Sequence, residues 1–356
     1  MSSFEPKYSI FGSVEQMLAP KALSKLLGRP VTRVIRQPMD EHSGLAGGKL
    51  SYVETNAGRY VLKQMSIAID WIMYSTDDQE CRAIRLWQYG LLDQLSPHFD
   101  HKIVAASRDG DGWAMLMHDL TGNIFQWDEL FPPKLLPVFL DALARTHSLF
   151  WNDPRLKDPR LGLGDATSYL KPVSRAKKNT GTTKGVIPEW LRVGWESLRD
   201  LIDASTYSQM LAFLENPQPL LDALSRYPST LLHGDFRSEN LGNLEKPIIL
   251  DWQWAACSLM TIDLPWLTKH GNVQSAMSEE TALHYYRSRL EVHLGQRFDD
   301  QYWQAMVTLG YAVDALRWTG FAAFFYQEEQ NLESRAELKN SVAVHCRRVM
   351  DAVYWL

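Results

Sequence analysis

Cysteine, positive charge and long apolar runs are all scarce in this chain of 356 residues. The three cysteines, Cys81, Cys257 and Cys346, are far apart and form no CxxC pair, which argues against a disulfide scaffold or a zinc ribbon and favours the cytoplasm. A net charge of -5 provides no basic field for nucleic acid. No apolar run reaches the roughly 18 residues of a membrane-spanning helix. We therefore expect a soluble protein with small-molecule partners, in an oligomeric state that the sequence does not reveal.

The first third of the chain alternates between apolar and polar residues, as an antiparallel sheet does. An Asn-Ala-Gly turn and an Arg-Asp-Gly-Asp-Gly turn separate neighbouring segments. The predicted strands cover residues 31–36, 49–55, 59–65, 102–107 and 113–117. One helix is predicted over 77–95, with Asp77 and Asp78 in the first turn, where the helix dipole favours carboxylates.

After Leu120 the spacing of apolar residues becomes helical, over 135–151, over 189–203 and from about 275 onwards. The predicted fold class is therefore α+β. A small lobe over 1–117 leads through a hinge at about 115–120 to a larger, mainly helical lobe over 118–356.

The stretch LLHGDFRSENLGNLEKPIILDW reads as a strand, a loop and a strand that hold His233, Asp235, Asn240 and Asp251. Phosphoryl transfer requires such a set, because one carboxylate accepts the proton of the attacking hydroxyl while an amide oxygen and a second carboxylate bind Mg²⁺. A hairpin would bring the two aspartates close together at the opening of one cleft. Each piece alone also fits an ordinary turn with Asx hydrogen bonds, and the combination favours chemistry.

Lys63, in the strand segment YVLKQ, is a candidate for binding nucleotide phosphates. Glu80 is its predicted acidic partner, with Asp77 and Asp78 as competitors. The alternative is a strand lysine whose stem lies along the sheet surface.

Two loops are ambiguous. The loop 42–51 offers Gly44, Gly47 and Gly48, whose backbone N–H groups could approach phosphates, but a plain glycine turn fits equally well. The basic stretch 171–188 is typical of a solvated surface loop, and a lid over an anionic group is the functional alternative.

The segments HGDFRSEN, LDW, YVLKQ and QECRAIRLWQYGLLDQL resemble those of the aminoglycoside phosphotransferase and choline kinase-like family of small-molecule kinases. The resemblance implies a protein-kinase-like bilobal fold, with a small antiparallel-sheet N-lobe carrying one helix and a mainly helical C-lobe. It implies ATP and Mg²⁺ as cofactors and a hydroxyl-bearing small molecule as substrate. By motif position, Asp235 is the catalytic base and Asn240 and Asp251 are the metal ligands.

The same resemblance implies roles for residues around that core. Lys63 would bind phosphates with Glu80 as its partner, and Asp263 would be a buried brace for the catalytic loop. The hinge AMLMHDL would border the adenine with Met115, Met117 and His118. Arg237 is a candidate for neutralising the transferring phosphoryl group, with an ordinary salt bridge as the alternative, and His233 is expected to brace the loop.

The acceptor is the least determined part. The aromatic residues of 317–330 fit either the core or a pocket wall, and a wall would favour an apolar acceptor or a cation held by π faces. Asp314 could contact the acceptor or pair with Arg317. A nucleotide-binding pseudokinase and a protein kinase are the rival functions, and the sequence does not exclude GTP.

Overall fold

The computed structural model describes residues 4–39, 45–96, 98–126, 128–178, 186–269 and 276–356. The strands are β1 (Val34–Pro38), β2 (Lys49–Thr55), β3 (Gly58–Met65), β4 (Ile103–Asp109), β5 (Gly112–His118), β6 (Thr230–Leu232), β7 (Leu241–Asn243), β8 (Pro247–Ile249) and β9 (Ala256–Ser258). The longer helices are Pro20–Leu27, Leu136–Leu149, Thr167–Lys178, Ile187–Leu201, Ala204–Glu215, Gln218–Ser225, Glu279–Leu294, Asp300–Glu328 and Leu332–Ala352. Shorter helices are Val14–Leu18, Trp71–Ser75, Arg82–Gln88 and Pro265–Lys269.

Strands β1 to β5 form one antiparallel sheet in the order β1-β2-β3-β5-β4. Within it, Lys63 lies opposite Met115 on the neighbouring strand β5. All five predicted strands are present, and the boundaries of β2 match the predicted ones. β1 begins at Val34 instead of residue 31. The mixture of this sheet with many helices agrees with the predicted α+β class, while the predicted lobe boundary at residue 117 stays a prediction.

The single helix predicted over 77–95 is wrong. The segment instead contains the helix Arg82–Gln88 and a 3₁₀ turn at Leu92–Leu95, and the helix Trp71–Ser75 precedes it. Asp77 and Cys81 have φ values of 58° and 53°, in the left-handed region that no continuous helix contains. Among the described residues up to 118 there are four helices where one was expected: the two just named, and Val14–Leu18 and Pro20–Leu27 before β1.

The two faces of the sheet pack against different partners. Leu62, Ala114 and Leu116 face a small core closed by the first two helices, while Met65 and Met115 belong to the large core that continues into the helical part of the chain. Lys63 alternates with Leu62 along β3, so it lies on the face toward the large core. Because side chains alternate between the two faces along β3, Lys63 and not Leu62 can reach the segment 231–252.

The helical part is organised around the helix Asp300–Glu328, which is buried over most of its length and packs against the helices Leu332–Ala352 and Ile187–Leu201. No helix in the described ranges is both long and apolar enough to cross a membrane. The loop predicted over 171–188 is corrected in part, because residues 171–178 end the helix Thr167–Lys178 and residues 187–188 begin another. The proposed lid falls mainly on 179–185, outside the described residues.

The segment 231–252 is not the simple hairpin that we predicted. Strand β6 pairs with β9, and β7 pairs with β8, so the two apolar runs on either side of the loop belong to different small sheets. His233 Nε2 donates to the carbonyl oxygen of Leu250 at 2.7 Å and joins the two halves. The loop is thereby closed by a side chain instead of a strand ladder.

Candidate active site

Lys63 reaches from the sheet to Asp251 and Gln253, at the end of the polar segment that begins at His233. Its Nζ donates to Asp251 Oδ2 at 2.8 Å and to Gln253 Oε1 at 2.6 Å. Burial raises the pKa of the Asp251 carboxyl, but the charge and hydrogen bond of Lys63 outweigh burial and leave the pKa below its ordinary value. The structure therefore brings together the lysine and the carboxylate that the sequence predicted for phosphate and metal binding.

The predicted pair between Lys63 and Glu80 is not formed, and this assignment is corrected. Glu80 pairs with Arg85, a surface partner five residues away. Asp78 is buried and caps the backbone N–H of Arg82, and Asp77 lies 3.5 Å from the ammonium of Lys171. The helical phase assumed for 77–95 was wrong, so none of these carboxylates is directed at the lysine.

Asp70 and Gln253 take the place predicted for Glu80, and the sequence reasoning missed both. Gln253 is buried, accepts from Lys63 and donates through Nε2 to Asp70 Oδ2 at 3.0 Å. Burial raises the pKa of Asp70, with the nearby Lys63 charge opposing it. Asp70 is also the N-cap of Trp71–Ser75, accepting from the Met73 N–H. A capping aspartate before an apolar helix was the available signal.

His233 holds the catalytic loop in shape. Its Nε2 donates to Leu250 O, so Nδ1 is the acceptor, and the Asp235 backbone N–H donates to it at 3.2 Å. Burial lowers the pKa of His233, with Asp263 and Asp235 opposing the shift. A neutral imidazole with both nitrogens occupied agrees with the predicted bracing role.

Asp263 anchors the same loop from below and is fully buried. Its two oxygens accept the backbone N–H groups of His233 and Gly234, both at 2.7 Å. His147 Nε2 lies 3.3 Å from Oδ2, and His147 Nδ1 is 2.5 Å from the hydroxyl of Tyr286. The predicted brace is confirmed, and it extends through a histidine and a tyrosine of the helical lobe.

Asp235 has one occupied oxygen and one open oxygen. Asn240 Nδ2 donates to Oδ2 at 3.0 Å, and Arg237 Nε lies 3.3 Å from the same atom. Oδ1 is buried and has no hydrogen-bond partner among the described residues, although Arg317 Nη2 approaches it to 3.7 Å. A carboxylate oxygen that is held in place and receives no hydrogen bond is a candidate to accept one from a substrate hydroxyl.

Arg237 contacts two carboxylates, with Nε 3.3 Å from Asp235 Oδ2 and Nη1 3.2 Å from Glu239 Oε1. The charge of Asp235, followed by those of Glu239 and Asp251, raises the pKa of Arg237. The salt bridge that we considered as the ordinary alternative is present. It leaves the role in phosphoryl transfer as a prediction.

Asp251 is strained, with φ at 59° in the left-handed region, which costs a non-glycine residue energy. While Oδ2 accepts from Lys63, Oδ1 is buried without a hydrogen-bond partner among the described residues. Asn240 uses Nδ2 as a donor, so its Oδ1 remains available as an oxygen ligand. Strained backbone and an unsatisfied acceptor are typical of a functional site.

These oxygens suit Mg²⁺, which binds one or two protein oxygens and completes its octahedron with phosphates and water. The described residues contain no group of three or more His, Cys, Asp or Glu that could hold a metal alone. The assignment of Asn240 and Asp251 as metal ligands stays a prediction.

The glycine turn lies against the lysine, and Gly44 falls outside the described residues. A Cβ atom at Gly47, where φ is 95°, would overlap the Ile69 carbonyl oxygen. A Cβ atom at Gly48 would lie 3.3 Å from Asp70 Oδ2 and 3.8 Å from Lys63 Cε. The packing alone requires glycine at 47, so both meanings of the turn remain open.

The hinge residues divide between the two faces of the sheet. Met115 and Met117 share the face of Lys63, where a nucleobase is expected. His118 is directed to the opposite face, with its ring 5.3 Å from that of Tyr60, and lines a cavity of about 570 Å³ there. Its backbone N–H donates to Lys102 O. The side chain of His118 therefore does not border the face where the nucleobase is expected, and that assignment is corrected.

Arg317 is a further residue of the site, from the long helix Asp300–Glu328. It is 6% exposed and donates to the Gly234 carbonyl oxygen, with its guanidinium 4.0 Å from the ring centre of Trp254. Burial lowers the pKa of Arg317, and Asp235 opposes the shift. Sequence reasoning had paired Arg317 only with Asp314.

No protein-family model and no curated protein matches this sequence. Solved structures do match. A Plasmodium vivax ethanolamine kinase is 11% identical over 93% of this chain and 84% of its own, with a TM-score of 0.51. A choline kinase from Streptococcus pneumoniae is 11% identical over 95% of this chain and 100% of its own, with a TM-score of 0.53. The aminoglycoside 2'-phosphotransferase-IIIa, in its GDP complex, is 13% identical over 92% of this chain and 99% of its own, with a TM-score of 0.51.

Identities this low establish a shared architecture and leave the chemistry to be argued from the residues. The architecture agrees with the resemblance carried by HGDFRSEN, LDW and YVLKQ, which comes from the sequence and not from the comparison. This chain therefore has the protein-kinase-like fold of the choline and ethanolamine kinases and the aminoglycoside phosphotransferases.

Proposed function

We propose that this protein transfers the γ-phosphoryl group of ATP to a hydroxyl group of a small molecule. The observation that carries the proposal is a pair of buried carboxylate oxygens, Asp235 Oδ1 and Asp251 Oδ1, that have no hydrogen-bond partner among the described residues and lie on the segment that Lys63 contacts. A structural turn would satisfy such oxygens internally, because an unsatisfied buried acceptor is costly.

Asp235 is the proposed base. Oδ1 accepts the proton of the acceptor hydroxyl as its oxygen bonds to the γ-phosphorus, and the bond from that phosphorus to the β,γ-bridging oxygen breaks to release ADP. Asn240 and Arg237 hold Oδ2, which fixes the direction of Oδ1. Arg237 is close enough to the carboxylate to offset charge on the moving phosphoryl group.

Lys63 binds the α- and β-phosphates in this proposal, exchanging the carboxylate of Asp251 for phosphate oxygens. Gln253 and Asp70 keep the ammonium in the cleft. Asn240 Oδ1 and Asp251 Oδ1 would hold Mg²⁺, which neutralises phosphate charge when bound. Met115 and Met117 line the nucleobase side, and Gly47 and Gly48 cover the lysine.

The segment after Asp251 favours a small-molecule acceptor over a protein. A 3₁₀ turn, strand β9 and a second 3₁₀ turn fill residues 252–263, and a helix begins at Pro265. Little chain is left for an extended activation segment. A peptide-binding platform of the protein-kinase type is therefore not the function that this geometry favours.

The test is the Mg²⁺-dependent release of ADP, measured with and without a panel of alcohols, in wild type and in Asp235→Asn. Loss of the base should reduce turnover by about 10² to 10⁴-fold. Asp222→Asn is the matched control, since Asp222 is exposed and contacts Gln218. Nucleotide binding without any turnover in wild type would refute the enzyme and support a binding module, and labelled phosphate on added proteins would support a protein kinase.

A further inference from the structure

The aromatic cluster beside the proposed base is already occupied by a cation of this chain. The guanidinium carbon of Arg317 lies 4.0 Å from the ring centre of Trp254, 4.8 Å from that of Trp318 and 5.4 Å from that of Tyr169. Three rings and the carboxylate of Asp235 around one positive charge have the composition of a cation-binding cage. Here an arginine side chain fills the cage.

A second arginine covers the next aromatic face. Arg237 lies 5.8 Å from the ring centre of Trp266, and Trp266 packs edge-on against Trp318 with ring centres 4.9 Å apart. Trp254, Trp318 and Trp266 thus each have a guanidinium over the ring. An incoming cation would compete with the protein for these faces.

The two arginines also flank the place where the acceptor hydroxyl must bind. A hydroxyl that reaches Asp235 Oδ1 approaches an atom 3.7 Å from Arg317 Nη2, and the other oxygen of Asp235 is 3.3 Å from Arg237 Nε. An ammonium group two carbons from that hydroxyl would lie near two guanidinium groups that already pair with Asp235 and cover the neighbouring rings. It would meet like charge instead of a free carboxylate or a free aromatic face.

Both arginines are held by carboxylates, so neither leaves readily to admit a ligand. Asp235, Glu239 and Asp314 are the acidic groups around them, and Arg317 also donates to the backbone of Gly234. For Arg317 and Asp235, which are both buried, removing one partner of the ion pair is strongly unfavourable. Arg237 is partly exposed and is held less firmly. The cage is therefore filled by a fixed part of the structure.

We infer that the acceptor is an alcohol without an ammonium group near its hydroxyl. This inference rests on the proposed function and narrows its substrate class. It separates the protein from the structurally similar choline and ethanolamine kinases, because choline and ethanolamine each carry a cation two carbons from the hydroxyl.

The first experiment compares choline with 3,3-dimethylbutan-1-ol, which has the same shape and no charge, as acceptors in the ADP-release assay. The uncharged alcohol should have a kcat/KM at least about tenfold above that of choline. Equal or better use of choline overturns the inference. ADP release without added alcohol, and its loss in Asp235→Asn, reports on the proposed function separately.

The second experiment does not depend on turnover. Tetramethylammonium should show no saturable quenching of tryptophan fluorescence in wild type up to about 10 mM, because the cage is full. Arg317→Ala should gain millimolar binding, and Arg317→Lys, which keeps a cation in the cage, should not. Binding by wild type overturns the inference, as does a folded Arg317→Ala protein that gains none. If Arg317→Ala does not fold, the wild-type titration decides.

Discussion

Asp263→Asn offers a test of the loop anchor that does not depend on knowing the substrate. The carboxylate is fully buried and accepts two backbone N–H groups at 2.7 Å. The amide that replaces it has one acceptor oxygen and one NH₂ group. Whichever way the amide turns, one of the two backbone donors, on His233 or Gly234, faces another donor.

The expected loss of stability follows from the two hydrogen bonds that Asp263 accepts. Hydrogen bonds to charged groups contribute about 1.5 to 3 kcal/mol each, and leaving a buried N–H unsatisfied costs about 1 to 3 kcal/mol. One bond is lost and the other becomes neutral, while the cost of burying a carboxylate disappears. We expect the free energy of unfolding to fall by about 3 kcal/mol.

The assay is urea denaturation followed by tryptophan fluorescence, with Asp141→Asn as the control. Asp141 also accepts from two side chains, Arg289 and His293, at 2.6 and 2.8 Å, but it is partly exposed. Exposed pairs contribute about 0.2 to 1 kcal/mol. A loss below about 1 kcal/mol for Asp263→Asn, similar to the control, would refute the anchor.

Three further predictions concern the same segment. Gly234→Ala should unfold at a lower urea concentration than Gly295→Ala, because a Cβ atom at 234 would lie 2.6 Å from the Tyr169 hydroxyl whereas one at 295 meets nothing within 4 Å. Both glycines have positive φ, so the backbone strain is similar. Equal losses of stability in the two variants would contradict this prediction. The pKa of His233 is lowered by burial, so its stabilising contribution is complete above about pH 6.5 and declines below it. The stability difference between wild type and His233→Gln should therefore shrink from pH 7.5 to 5.5, and a constant difference would argue against a neutral imidazole. Gln253→Leu should weaken MgATP binding about tenfold in calorimetry, since it breaks the bridge between the lysine and a buried carboxylate; an unchanged Kd would remove Gln253 from the site.

The sequence predicted the sheet well because alternation along a strand is a local signal. β2 and β3 were found almost to the residue, and the separate faces of β3 were implicit in the same pattern. The helix over 77–95 failed for a local reason that periodicity does not record. Left-handed residues at 77 and 81 interrupt a stretch whose apolar spacing still looks helical.

The polar set of the site was predictable, whereas its pairings were not. Motif spacing located Asp235, Asn240 and Asp251, and it identified Asp263 by position in the motif. Nothing local indicated that Lys63 would contact Gln253, because that contact depends on how two distant segments pack. Arg317 was missed for the same reason, since it lies 83 residues further along the chain than Gly234, which it contacts.

The ion pair of Lys63 with Asp251 joins residues 188 positions apart, and Arg317 reaches Gly234 over 83 positions. Contacts of such long range close late in folding, after their loops have lost their entropy. A nascent or truncated chain that lacks the Asp300–Glu328 helix would have the polar motif but not its arrangement. For the proposed activity, turnover would then be a stricter measure of complete assembly than helix content.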